Sequence, residues 1–152
     1  MACLPLALIV FLGNPSLEVH EVVPAFRDSI VMNSIDGALA LISPDAFDQV
    51  DSVLVHHPDQ AAAVFQLAGV SMDVDTLCGR SGREVVAAVL STPSVRGAVM
   101  LFGVTVEDPV TRRNGTFVPV SFGLPGARDT VYLELVLEDD RWRIRDFFET
   151  LP

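Results

Sequence analysis

The stretch VYLELVLEDDRWRIRDF, residues 131–147, alternates apolar and charged side chains on both sides of an acidic corner. A period of two is the signature of a strand with one buried face. Whether Asp139-Asp140 is the turn or residues 138–141 form a four-residue loop, Leu137 faces Trp142 and Leu135 faces Ile144. The other face sets Glu134 against Arg145 and Glu138 against Arg141, contacts worth about 0.2–1 kcal/mol each. A slip of one residue puts leucines against arginines, so the register is strongly specified. Asp-Asp is a poorer tight turn than Asp-Gly, which leaves the loop length open. In this pattern Tyr132 lies on the charged side, and Asp146 shares the apolar side with Trp142, Ile144 and Phe148. A carboxylate buried there is a candidate for proton transfer. A carboxylate reaching solvent at the strand end is the plainer alternative.

A ribbon with one apolar face needs a second layer to cover it, and the first half of the chain reads as helical. Val19, Val22, Val23, Phe26 and Ile30 recur at helical spacing after Ser16, a candidate N-cap, with Pro24 placed to bend or restart the helix. Residues 36–42 form a second short helix. A third starts at Pro44 with Phe47, Val50 and Leu54 on one side, and Pro58 opens a fourth carrying Ala61, Val64, Phe65 and Ala68. Residues 70–77 alternate briefly and read as a short strand. Ser81 and Glu84 form the S-x-x-E capping box, which predicts a helix over 82–91. From there the chain reads as sheet. In RGAVMLFGVTV, Ala98, Met100, Phe102, Val104 and Val106 face one way and an equally apolar set faces the other, the pattern of a central strand. In TFVPVSF, Pro119 cannot donate to a ladder and assigns that strand to an edge or a bulge. The fold class is therefore α+β: N-terminal helices on a curved, mainly antiparallel sheet of about four to five strands.

The length suits one domain, residues 16–152, with half of all residues hydrophobic to supply its core. Ten arginines, no lysine and twenty acidic residues leave a net charge of −10. Such a surface does not suit nucleic acid, whose binding rests on cationic contacts. The charge is uneven, because nine of the arginines fall after residue 79. Residues 1–15 form a hydrophobic N-terminal segment whose run Leu4–Leu12 matches an export-signal core and is too short to span a bilayer. Met1-Ala2-Cys3 is similar to the end of a lipoprotein box, with apolar LPLAL following it. These features favour an extracytoplasmic location, with the cytoplasm as the alternative and membrane contact only through that segment. Cys78 is then a lone thiol and reads as a small buried apolar residue.

Two stretches carry a family resemblance. VVPAFRDSIVMNSIDGALALISPDA, residues 22–46, resembles the first-helix, short-second-helix signature of bacterial secreted or lipoprotein-like members of the nuclear-transport-factor-2-like superfamily, with Asn33-Ser34 near the position of their GD pair. VYLELVLEDDRWRI resembles the last strand pair, with its Trp after an acidic turn. The resemblance implies a cone-shaped sheet wrapped around helices, an apolar cavity, and often a homodimer through the sheet. Members include isomerases, dehydratases, polyketide cyclases and transport adaptors, so the fold alone does not choose a chemistry.

Enzymatic members of the ketosteroid-isomerase-like and polyketide-cyclase-like branches use a cavity carboxylate as base and a donor for the oxyanion. The candidates here are Asp73, Asp75 and Asp146, with His56 or His57 as helpers; Tyr132 falls on the charged face. Adjacent His56 and His57 cannot point to one side of a regular element, and no ligand set with metal spacing stands out, so neither metal nor cofactor is expected. Gly79–Gly82 lacks the spacing of a nucleophile elbow. The reading that follows is a non-enzymatic module binding a small apolar molecule or a protein partner, in a cavity lined by Phe26, Phe65, Met100, Phe102, Leu135, Trp142 and Ile144. The alternatives are a cofactor-free lyase or isomerase and a purely structural dimerisation domain. A filled interior favours the last.

Overall fold

The computed structural model describes residues 16–67 and 69–152; the N-terminal segment 1–15, with Cys3, and Ala68 lie outside the described residues. Among the described residues seven helices precede the strands: α1 (Val22–Val31), α2 (Ile35–Ala40), α3 (Pro44–His56), α4 (Pro58–Leu67), α5 (Val74–Cys78), α6 (Gly82–Leu90) and α7 (Pro93–Leu101). The strands are β1 (Thr105–Val106), β2 (Val110–Arg112), β3 (Gly115–Leu124), β4 (Ala127–Glu138) and β5 (Arg141–Phe148). They form an open, curved antiparallel sheet in the order β1-β3-β4-β5, with β2 pairing along the same side of β3 as β1.

The helix starts follow from side-chain chemistry. Ser43 caps α3, with Pro44 in the first turn where no amide partner is required. Ser81 and Glu84 close the reciprocal capping box at α6. The first helix begins at Val22 rather than near Ser16, and Pro24 sits in its first turn, where it breaks no hydrogen bond. Val22 and Val23 are buried against Val118, Val120, Leu135 and Ile144 of the sheet, with Leu17, Val19 and Trp142 packed around them. Leu135 and Trp142 therefore serve one core. A second cluster joins Ile30, Leu39, Phe47 and Leu90, and a third joins Leu54, Ala61, Leu77 and Val85.

Three expectations are corrected. Residues 96–101, expected to start a central strand, belong to helix α7. Thr92 and Pro93 provide a helix start, and Val95 and Val99, four residues apart, pack on the second cluster. An apolar run shows no face by its alternation alone, and the strand expected there shrinks to Thr105–Val106. Residues 74–78 are helical because the Asp73 carboxylate accepts the Thr76 N–H at 2.7 Å. Finally, β3 is interior. Pro119 is tolerated because the ladder beside it is interrupted between Val106 and Val110, where its carbonyl still accepts from Glu107 at 3.0 Å.

The hairpin turns tightly on Asp139 and Asp140, with φ of 48° and 60°. Leu137 pairs Trp142 and Leu135 pairs Ile144, as the alternation predicts. Beyond Ile144 the register shifts: Glu134 pairs with Asp146 and Leu133 with Phe147, so Arg145 is the extra residue of a β-bulge. The segment Leu41–Ser43 docks on the outer edge of β5, with Ile144 donating to Leu41 and Ser43 donating to Ile144, both at 2.8 Å. This bridge ties the helical layer to the sheet.

Candidate functional site

The bulge decides what surrounds the end of β5. Because Arg145 is inserted, Asp146 and Phe148 share a face with Glu134 and Tyr132, while Phe147 joins Leu133 and Ile144 on the face that meets the helices. Asp146 is thus taken off the apolar side that unbroken alternation assigns it. Its carboxylate accepts its neighbour Phe147's N–H at 2.8 Å. Across the bulge the Arg145 guanidinium grips Glu134, with Nε donating at 3.1 Å and Nη2 to the other carboxylate oxygen. The Glu134 side chain is only 8% exposed. Hydrogen bonds from Arg145 to that carboxylate outweigh partial desolvation and raise the guanidinium's pKa above its ordinary value.

Beside this pair lies a groove of about 630 Å³ between α1, α3, α4, α6 and the β4–β5 ladder. Its base is Phe26, Ile42, Leu133 and Ile144, and one side is the apolar stripe of α3 and α4, with Phe47, Val50, Leu54, Ala61 and Phe65. Val53, Val64 and Phe147 stand at the mouth with 44%, 61% and 65% of their surface exposed. The polar residues on its lining are Gln49, Gln60, Arg145 and Asp146.

The groove gathers Phe26, Phe65 and Ile144 from the expected cavity set. Leu135 and Trp142 belong instead to the core beneath α1. Met100 and Phe102 are 63% and 44% exposed at the C-terminal end of α7, outside the lining of this groove. Val53, Val64 and Phe147 carry no unusual residue type. Val64 already belongs to the apolar stripe of the fourth helix, Val53 adjoins the α3 stripe Val50–Leu54 without belonging to it, and Phe147 changes face only through the bulge.

The acid candidates do not converge. Asp73 is spent on the α5 cap, and the Thr76 hydroxyl, then its N–H, lower its pKa. It borders a separate hollow of about 540 Å³ with Asp59, Gln66 and Ser71. Asp75 is exposed in the first turn of α5. His56 donates from Nδ1 to the Ser52 carbonyl at 2.8 Å. Cys78 is exposed, not buried, because α5 turns Leu77 inward in its place. Among the described residues no group of three or more His, Cys, Asp or Glu is placed to hold a metal ion, and no single helix is long and apolar enough to cross a membrane.

Fold and site together define an α+β protein with an open apolar groove between its helices and one end of its sheet. Comparison of the chain with family models, curated proteins and solved structures finds no match in any of the three.

Proposed function

We propose that this protein is a non-enzymatic binding module that takes a small apolar molecule in the groove between α3, α4 and the end of β5. The observation that carries the reading is the groove's wall: a hollow of about 630 Å³ lined mainly by aliphatic and aromatic side chains, with Val53, Val64 and Phe147 left bare at its mouth. Its volume lies in the range of small-molecule sites, and apolar side chains gathered around one opening mark a surface that is completed by something else. Sequestration needs no more than this. The cofactor-free isomerase alternative asks for a desolvated base facing a donor, whereas Asp146 is turned to a backbone amide and Asp73 to a helix start.

The proposal extends to the cone-shaped nuclear-transport-factor-2-like class. Its support is the order of elements, helices followed by an open curved sheet with the groove between the two layers. The test is native mass spectrometry of protein purified without added ligand, beside the Val53→Ser/Val64→Ser variant. Retention of a small apolar molecule by the natural chain and its loss from the variant is the expected result. An empty natural chain that also fails to take up an uncharged long-chain alcohol overturns the reading.

A further inference from the structure

Resting on that reading of the groove, we infer that the chain's own segment Leu4–Leu12 competes for it, an autoinhibitory contact that a small apolar ligand has to displace. Residues 1–15 carry no charged side chain, and LPLALIVFL is apolar throughout. Such a run needs apolar cover of its own, and the groove offers it, with Val53, Val64 and Phe147 bare at the mouth. The point of entry is favourable. Leu17 and Val19 pack on the cluster that contains Ile144, with Phe26 and Leu133 against it, and these same three residues form the groove's base. Between the apolar run and Leu17 stand Gly13, Asn14 and Pro15, a composition that turns a chain. The reach is ample. From Ser16 back to Leu4 the backbone spans up to about 40 Å, whereas the α3 wall from Ala46 to Leu54 is about 12 Å long. Charge raises no obstacle, because an uncharged segment brings no ion to desolvate and Arg145 in the lining is already held by Glu134. A tethered occupant acts at an effective concentration on the order of millimolar, so even weak contact competes. Whatever draws the segment away opens the groove.

The test is calorimetric titration with decanol of the full natural chain and of the full-length Leu8→Glu/Phe11→Glu variant, which keeps the tether and makes the segment costly to bury. Both should bind the alcohol, the variant roughly ten-fold more tightly because its competitor is gone. Adding Val53→Ser/Val64→Ser to each should weaken binding and bring the ratio of the two affinities toward one, since the groove then holds neither occupant well. Equal affinity in the natural chain and the glutamate variant, or tighter binding by the natural chain, overturns the inference and leaves the groove reading standing. A ratio that vanishes on dilution of the protein means that the segment enters the groove of a second copy, and overturns the contact within one chain. Decanol binding by neither chain overturns the groove reading and this inference with it.

Discussion

Glu134 and Arg145 face each other across the β4–β5 ladder at the one place where that ladder skips a residue. The carboxylate is buried and the guanidinium is about one-third exposed, so the two members of the pair are unequal. Removing Arg145 strands a charge in a desolvated position; removing both charges together does not. Arg145→Met is expected to cost about 2 kcal/mol in urea unfolding, below the range for fully buried pairs because water reaches the guanidinium. Adding Glu134→Gln should recover part of that loss. Simple additivity of the two substitutions would sink the idea that they act as a unit.

The turn of the same hairpin is held by two aspartates, both with left-handed backbone angles. A side chain at φ near +60° is strained relative to glycine, and Asp-Gly is the preferred pair for this two-residue turn. Asp140→Gly should therefore raise the midpoint of thermal unfolding, by an amount equivalent to about 0.5–1 kcal/mol. A lower midpoint would show that the Asp140 side chain contributes more than its backbone strain costs.

The hairpin, the capping box and the order of helices before strands were legible because each is a local pattern with one physical solution. Leucines cannot face arginines across Leu137 and Trp142, and Ser81 with Glu84 satisfies two free amides at once. The bulge at Arg145 was not legible. It adjoins a tertiary contact, the pairing of Leu41–Ser43 with Ile144, and beyond that contact the strand follows a shifted register that alternation does not carry. Everything placed after Ile144 by parity, Asp146 and Phe148 included, consequently changed face. Residues 96–101 differ from expectation for the opposite reason: a mostly apolar run suits a buried strand and a helix equally, and Thr92-Pro93 marks the difference. The groove inherits both lessons: Phe147 enters it through the bulge, and Met100 and Phe102 leave it through α7.

Two helix starts carry an acid dependence. Glu84, through the Ser81 N–H and then its hydroxyl, and Asp73, through Thr76, are held below their ordinary values of 4.5 and 3.8. A carboxylate with a depressed folded pKa contributes stability that is fully present above its unfolded pKa and lost as pH falls through the folded one. Thermal unfolding compared at about pH 7 and about pH 3 should show a smaller acid-induced drop for Glu84→Gln/Asp73→Asn than for the natural chain. An equal drop in both would place the acid sensitivity elsewhere.

Glycine substitutions separate the helical reading of residues 93–101 from the strand reading. In α7, a Cβ built on Gly97 meets no atom within 4 Å, so alanine there adds helix propensity without a clash. Gly97→Ala is expected to stabilise the protein by about 0.5–1 kcal/mol. At Gly82, the first residue of α6, the same Cβ falls 2.4 Å from the Phe47 carbonyl oxygen and 3.0 Å from the Asp51 nitrogen, both backbone atoms of α3. The Gly82 N–H also donates to the Asp51 carboxylate at 2.5 Å. Moving α6 away to admit a methyl group loosens the wall that includes Phe47 and Val86, so Gly82→Ala should cost about 1–3 kcal/mol despite its better helix propensity. The two shifts are read from chemical denaturation of the single variants. Opposite signs support a helix at 93–101 packed as described, whereas a destabilising Gly97→Ala means that residue 97 lies in an extended or closely covered backbone and that α7 is wrong.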